Sequence, residues 1–160
     1  MIERPSNFDT IRASKDNGIP RMKVTLALLA DAANVSQEGK LNVLGIFNSF
    51  NAGTFPALHP VMQLVLRFEA SVAEAAMEKK LLVKVLGEDG EQIGEIAGNL
   101  KLPEKPQQQG RRIQMQAIIP VQGAVFPKPG QYAFSILIDG REEDEVTLSI
   151  TQTQTEGGDR

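Results

Sequence analysis

The stretch MQLVLRFE, residues 62–69, decides the fold. Met62, Leu64, Leu66 and Phe68 alternate with Gln63, Val65, Arg67 and Glu69, which sets four apolar side chains on one face of a strand. Such a face must be covered by a second layer. The same period recurs downstream. Ile113, Met115, Ala117 and Ile119 alternate with Arg112, Gln114, Gln116 and Ile118; Tyr132, Phe134, Ile136 and Ile138 alternate with Gln131, Ala133, Ser135 and Leu137; Val146, Leu148 and Ile150 alternate with Thr147, Ser149 and Thr151. One-sided strands of this kind belong to antiparallel sheets with one wet face, not to parallel sheets buried on both sides.

Turn signals divide the chain at matching intervals. Glu88-Asp89-Gly90 lies between LLVKVL and EQIGEI, where Asp-Gly tolerates the positive φ of a tight hairpin. Asp139-Gly140 starts a second hairpin, expected to carry a longer loop through the acidic run at 141–145. About eight strands follow, near 22–31, 40–50, 60–69, 79–87, 91–99, 111–119, 130–139 and 145–152. The expected fold is all-β, an antiparallel two-sheet sandwich. At most a short helical turn falls near 71–78, where Ala, Glu and Met are helix formers. Residues 1–21 keep no period and read as an N-terminal arm, 22–152 as the domain, and 153–160 as a polar tail.

Composition narrows the functional classes. The 160 residues are 41% hydrophobic and 23% charged, enough for one globular domain with a full core. A net charge of −3 without a basic block argues against nucleic acid as a partner. No Cys is present, so disulfides, thiolate catalysis and Cys-ligated metals are excluded. The expected location is the cytoplasm. Residues 22–32 also resemble a short signal segment ending in Ala30-Asp31-Ala32, which would make the protein secreted were translation to start at Met22; the alternation of Val24, Leu26 and Leu28 favours a first strand instead. No apolar run reaches the ~20 residues of a membrane-spanning helix, and no membrane partner or cofactor is expected.

Candidate site residues are few. His59, the single histidine, precedes Pro60 in a loop entering a strand, with no evident nucleophile or carboxylate beside it. Phe47, Phe50 and Phe55 lie in an irregular stretch broken by Asn, Gly and Pro, where they rim a binding patch or cover the end of the core. Arg111 and Arg112, beside three glutamines, are placed to grip a polar or anionic ligand. Asp139, Glu142 and Asp144 offer oxygen ligands for calcium but lack the spacing of a calcium loop. No G-x-S-x-G elbow or phosphate-cradling glycine loop occurs, and no catalytic residue is assigned.

Three stretches carry a family resemblance: LALLADAANVSQEGKLNVLGIFNSF at 26–50, LLVKVLGEDGEQI at 81–93 and FPKPGQYAFSILIDG at 126–140. Together they make the chain resemble an uncharacterised bacterial family of β-sandwich domains of unknown function. The resemblance implies the fold and no catalytic residues. Tyr132 in the third stretch is similar to the tyrosine corner of immunoglobulin-type domains, whose hydroxyl bonds nearby backbone, so an immunoglobulin-like architecture is expected. The leading functional expectation is a non-catalytic module that binds a protein partner, or itself as a homo-oligomer, through a sheet face or an edge strand, with 22–31 and 145–152 the most edge-like. Small-ligand or carbohydrate binding by end loops at 47–59 and 105–112 is the alternative, and an enzyme is a third.

Overall fold

A computed structural model describes residues 21–105 and 112–154. The arm at 1–20, Arg111 and the tail from 155 lie outside the described residues. Nine strands follow in order: β1 (Lys23–Val35), β2 (Leu41–Phe47), β3 (Ser49–Ala52), β4 (Ala57–Ser71), β5 (Glu78–Leu86), β6 (Gln92–Lys101), β7 (Arg112–Phe126), β8 (Gly130–Ile138) and β9 (Arg141–Gln152). The helical turn is one turn of 3-10 helix, Val72–Glu74, between β4 and β5. One sheet has the order β2-β1-β4-β7 and the other β3-β9-β8-β5-β6. The chain is a two-layer all-β sandwich.

The alternating face of 62–69 is the centre of the core. Met62, Leu64, Leu66 and Phe68 on β4 meet Val83 and Val85 of β5, Phe134 and Ile136 of β8, and Leu148 and Ile150 of β9 in one cluster. Burying side chains of this size stabilises the fold by about 1.5–3 kcal/mol each relative to leaving them exposed. Met22 is also buried in this cluster, and residues 23–35 form a strand along their whole length.

Four expectations are corrected. The strand expected at 40–50 breaks at Asn48, because the chain changes sheets there: β2 pairs with β1, whereas β3 pairs with β9, and in parallel. That parallel pair departs from the antiparallel rule that holds for the other pairings. The strands expected at the edges are interior. β1 lies between β2 and β4, and β9 between β3 and β8, so the edges are β2 and β7 in one sheet and β3 and β6 in the other. Finally, the Asp139-Gly140 hairpin has a two-residue turn with no longer loop. Both residues take positive φ, 50° and 80°, which matches the twist of the flanking strands and lets β9 start at once at Arg141. The acidic run at 141–145 is therefore strand, not loop apex.

β4 and β7 pair from Ala57 opposite Phe126 to Ser71 opposite Arg112. Both carry two successive outward residues at the same level, Pro60-Val61 and Gln122-Gly123, and all four are exposed. Below this kink Met62 and Val121 face inward; above it Ala57 and Phe126 do. Simple alternation fails there on both strands together, which is why sequence periodicity placed the start of β4 and the end of β7 too far inward.

The tyrosine corner forms as expected. The Tyr132 hydroxyl donates to the Lys128 carbonyl oxygen at 2.5 Å and accepts from the Lys128 N–H at 3.3 Å, closing the Pro127–Gly130 turn onto β8. Tyr132→Phe removes both contacts while keeping the ring packed on Phe126. A loss of about 1–2 kcal/mol in unfolding free energy is expected by urea denaturation.

Candidate functional site

The aromatic candidates converge, but inward. Phe47 ends β2, Phe50 sits on β3 and His59 on β4, so the sheet change at Asn48 brings them to one end of the sandwich. The His59 ring stacks on Phe47 with centroids 5.6 Å apart and meets Phe50 at 4.9 Å. Phe50 in turn contacts Phe126 edge-on at 5.9 Å, and Phe126 contacts Tyr132 at 4.9 Å. Phe47, Phe50 and Phe55 are partly buried against the core. The five-ring chain closes the end of the core, with edge-to-face contacts of the kind aromatic quadrupoles favour.

His59 belongs to β4, not to a loop before it. Its Nδ1 is buried with no hydrogen-bond partner among the described residues. A general base needs an orienting acceptor and a proton donor within reach, and this ring has aromatic neighbours instead.

The charged candidates are dispersed. Arg112 opens β7 and is ion-paired with Glu69 across the β4–β7 ladder; the Glu69 carboxylate holds its guanidinium pKa above the ordinary value by hydrogen bond and charge. That pairing occupies the group proposed to grip an anion. Asp139 is in the β8–β9 turn, where its Oδ1 accepts from the Lys80 N–H at 2.9 Å. Glu142 and Asp144 stand on β9 opposite Leu137 and Ile136. Among the described residues no group of three or more His, Asp or Glu side chains is placed to hold a metal.

The surface that stands out is the outward face of the β2-β1-β4-β7 sheet. From Leu28, Val65 and Ile118 upward, its positions include Ala30, Ala32, Leu44, Ile46, Leu58, Val61, Gln63, Pro120, Gln122 and Val125, none charged. Leu44 is 72% exposed, Ile46 64%, Leu58 63%, Val125 54% and Val61 46%. Ala30 and Val65, on the same face, are fully buried. The outward face of the other sheet is of the usual kind, with Lys84 opposite Glu95 and Ser135, and Ser135 opposite Glu145.

Residues 25–151 match the sequence profile of a family of unknown function, DUF6941. The chain belongs to the DUF6941 family. No curated protein matches its sequence. Among solved structures, the alkylpurine DNA glycosylase AlkC of Pseudomonas fluorescens, bound to DNA containing an abasic site analog, is similar at 13% identity and a TM-score of 0.47, over 81% of this chain and 30% of its own. A β-glucosidase from Listeria innocua in complex with isofagomine is similar at 5% identity and a TM-score of 0.47, over 82% of this chain and 16% of its own. An immunoglobulin-like protein from Pseudomonas aeruginosa has 11% identity and a TM-score of 0.41, with 81% of this chain and 96% of its own covered. This DUF6941 chain thus spans less than a third of the first two. Among the described residues no helix is long and apolar enough to cross a membrane.

Two features of the DUF6941 sandwich escaped the sequence reading. One is the outward apolar face, whose signal was present in Val65 and Ile118 standing at nominally polar positions. The other is Glu74, a buried carboxylate whose four contacts come from Ser71 and Lys79 nearby and from Met22, 52 residues away. Its Oε1 accepts from the Met22 N–H at 2.9 Å and pairs with the Lys79 ammonium at 3.0 Å. Its Oε2 accepts from the Ser71 N–H at 2.9 Å and the Ser71 hydroxyl at 3.3 Å. Burial pushes this carboxyl pKa up, but the Ser71 N–H, the Lys79 ammonium and the Met22 N–H outweigh it and leave it below the ordinary glutamate value. The carboxylate ties the start of β1 to the β4–β5 crossover.

Glu74→Gln is expected to destabilise the protein by about 2–3 kcal/mol at neutral pH, because it leaves the Lys79 ammonium with only the more distant Asp139 carboxylate at 3.7 Å. Since the folded-state pKa is depressed, the stabilisation is complete above the unfolded glutamate value of about 4.3 and is lost as the pH falls through the lower folded value. Denaturation from pH 7 to pH 2 should show the wild-type and variant curves converging at the acid end.

Proposed function

We propose that this DUF6941 domain is a non-catalytic interaction module that binds a protein partner, or a second copy of itself, through the outward face of the β2-β1-β4-β7 sheet. The observation that carries this reading is the uncharged run from Leu28 to Val125 with five large aliphatic side chains standing in solvent. Folded monomers rarely expose contiguous apolar patches beyond a few hundred Å². The edge strand β2, with the sequence LNVLGIF, extends the same character, since it lacks the charges that usually blunt a free edge. Binding through the end loops draws no support from Phe47, Phe50 and His59, which are spent on covering the core. A cysteine-free chain suits a reducing cytoplasm, the location that goes with this reading.

Ile46→Glu combined with Val61→Glu places two carboxylates on the exposed face without touching the core, so the unfolding free energy is expected to stay within about 0.5 kcal/mol of wild type. Sedimentation velocity over a range of concentrations, with affinity capture from the native host, reads the outcome. Wild type should self-associate or retain a defined partner, and the variant should lose either. A strictly monomeric wild type that retains nothing overturns the proposal.

A further inference from the structure

On the β2-β3 side the chain passes between the sheets at Asn48; on the opposite side it passes only after Lys101, and among the described residues the gap between the edge strands β6 and β7 is open at the level of Gly94. A cleft of about 430 Å³ lies there, lined by Val85, Ile96, Val121, Phe126 and Phe134, among others, and opening past Gly94 and Glu95. That volume falls within the roughly 300–1,000 Å³ in which proteins bury small ligands. It exists because of the inner face of β6. Gly94 is opposite Val85 and Gly98 opposite Leu81, and a Cβ added at either would meet nothing within 4 Å.

The walls differ in what they offer. β7 carries Pro120, which has no N–H to donate, and Gly123 at a φ of 63°, so its edge is blunted along the cleft. β6 has no proline and, among the described residues, pairs only with β5. Among the described residues, its second row of N–H and C=O groups is thus without a strand partner. The acidic residues sit at the start of β6: Glu95 lines the mouth, and the β5–β6 turn leading into the strand carries Asp89, Glu91 and Glu88, the last accepting from the Gln131 N–H at 2.8 Å. Lys128 is held by Asp89 at 2.9 Å, and Lys84 stands opposite Glu95.

We propose that the β6–β7 cleft binds an extended peptide segment that adds as a strand to the free edge of β6, seats alternate aliphatic side chains in the cleft and sets a Lys or Arg against the acidic rim. Strand addition joins the two resources present, unpaired backbone and an apolar floor. An acyl chain would use the floor and leave the backbone groups unpaired. The net negative rim selects a cationic flank. Pro120, Gln122 and Val125 of β7 line this cleft and also belong to the β2-β1-β4-β7 face, so the two surfaces adjoin; strand addition to β6 is the feature that sets this proposal apart from docking on that face.

The test is selection of a displayed random dodecapeptide library on the full chain, with Gly94→Leu as counter-target. Leucine at 94 fills the cleft from a strand position with free space, so its melting temperature should equal or exceed that of wild type. Wild type is expected to enrich peptides with aliphatic residues at every second position and Lys or Arg at one end. Gly94→Leu should bind a selected peptide at least about tenfold more weakly, and Glu91→Lys with Glu95→Lys about three- to tenfold. Hydrogen exchange on unmodified protein provides the second readout, independent of any variant: the peptide should slow the amides of 92–101. Three results overturn the proposal: no enrichment, protection confined elsewhere, or a peptide bound equally by wild type and Gly94→Leu. Decanoate that binds the cleft where no peptide is enriched assigns it to acyl chains, and also overturns it.

Discussion

Burial of one face of β4 is the constraint on which the structure rests. Met62, Leu64, Leu66 and Phe68 are at most 1% exposed, and β4 is hydrogen-bonded on both sides, to β1 and β7. A slip of one residue in either ladder would turn that set of side chains to solvent. The register of the four-stranded sheet is thereby set, and with it which residues of β1 and β7 look outward. The kink at Pro60-Val61 and Gln122-Gly123 respects the same constraint. Because both strands place two residues outward at one level, the pairing is never interrupted in register, and Ala57 and Phe126 return to the interior together.

The two long sides of the sandwich are unlike for a reason of connectivity. At Asn48 the chain leaves one sheet and joins the other, with the Ser149 N–H donating to the Asn48 carbonyl oxygen at 2.8 Å. This stitches β2 to β3 and draws Phe47, Phe50 and His59 into one aromatic chain. No such crossing joins β6 to β7 at the level of Gly94, and the inner-face glycines of β6 leave the layers apart there. The two faces differ as well, one uncharged over much of its outward surface and one with alternating charges and hydroxyls.

How much of this was legible follows from the range of the interactions. The alternation in β4, β7, β8 and β9, the turn at Asp89-Gly90 and the corner at Tyr132 are local patterns, and each was readable from neighbouring residues. The break at Asn48 was not, because LNVLGIFNSF is apolar enough to continue as one strand and only the pairing with β9 shows that it does not. Edge strands were misplaced for the same reason, since rank within a sheet is a property of non-adjacent segments. Phe47, Phe50 and Phe55 were grouped by proximity in sequence, with His59 considered apart, but proximity does not say which way a ring points. Glu74 lay in a stretch read as a helix-forming spacer; its capping box with Ser71 is a local pattern, whereas its bond to Met22, 52 residues away, is not.

The long β4–β7 ladder, with its neighbours β1–β2 and β1–β4, also gives the sandwich a direction of mechanical strength. β1 starts at the end where Lys23 opposes Glu69, and β9 finishes at the other, where Ile150 opposes Gly130. Tension applied between these two points runs along the strands, across hydrogen bonds that lie perpendicular to them. The ladders of β1 and β9 are then loaded in shear, so their bonds carry the force side by side instead of opening one after another like a zipper.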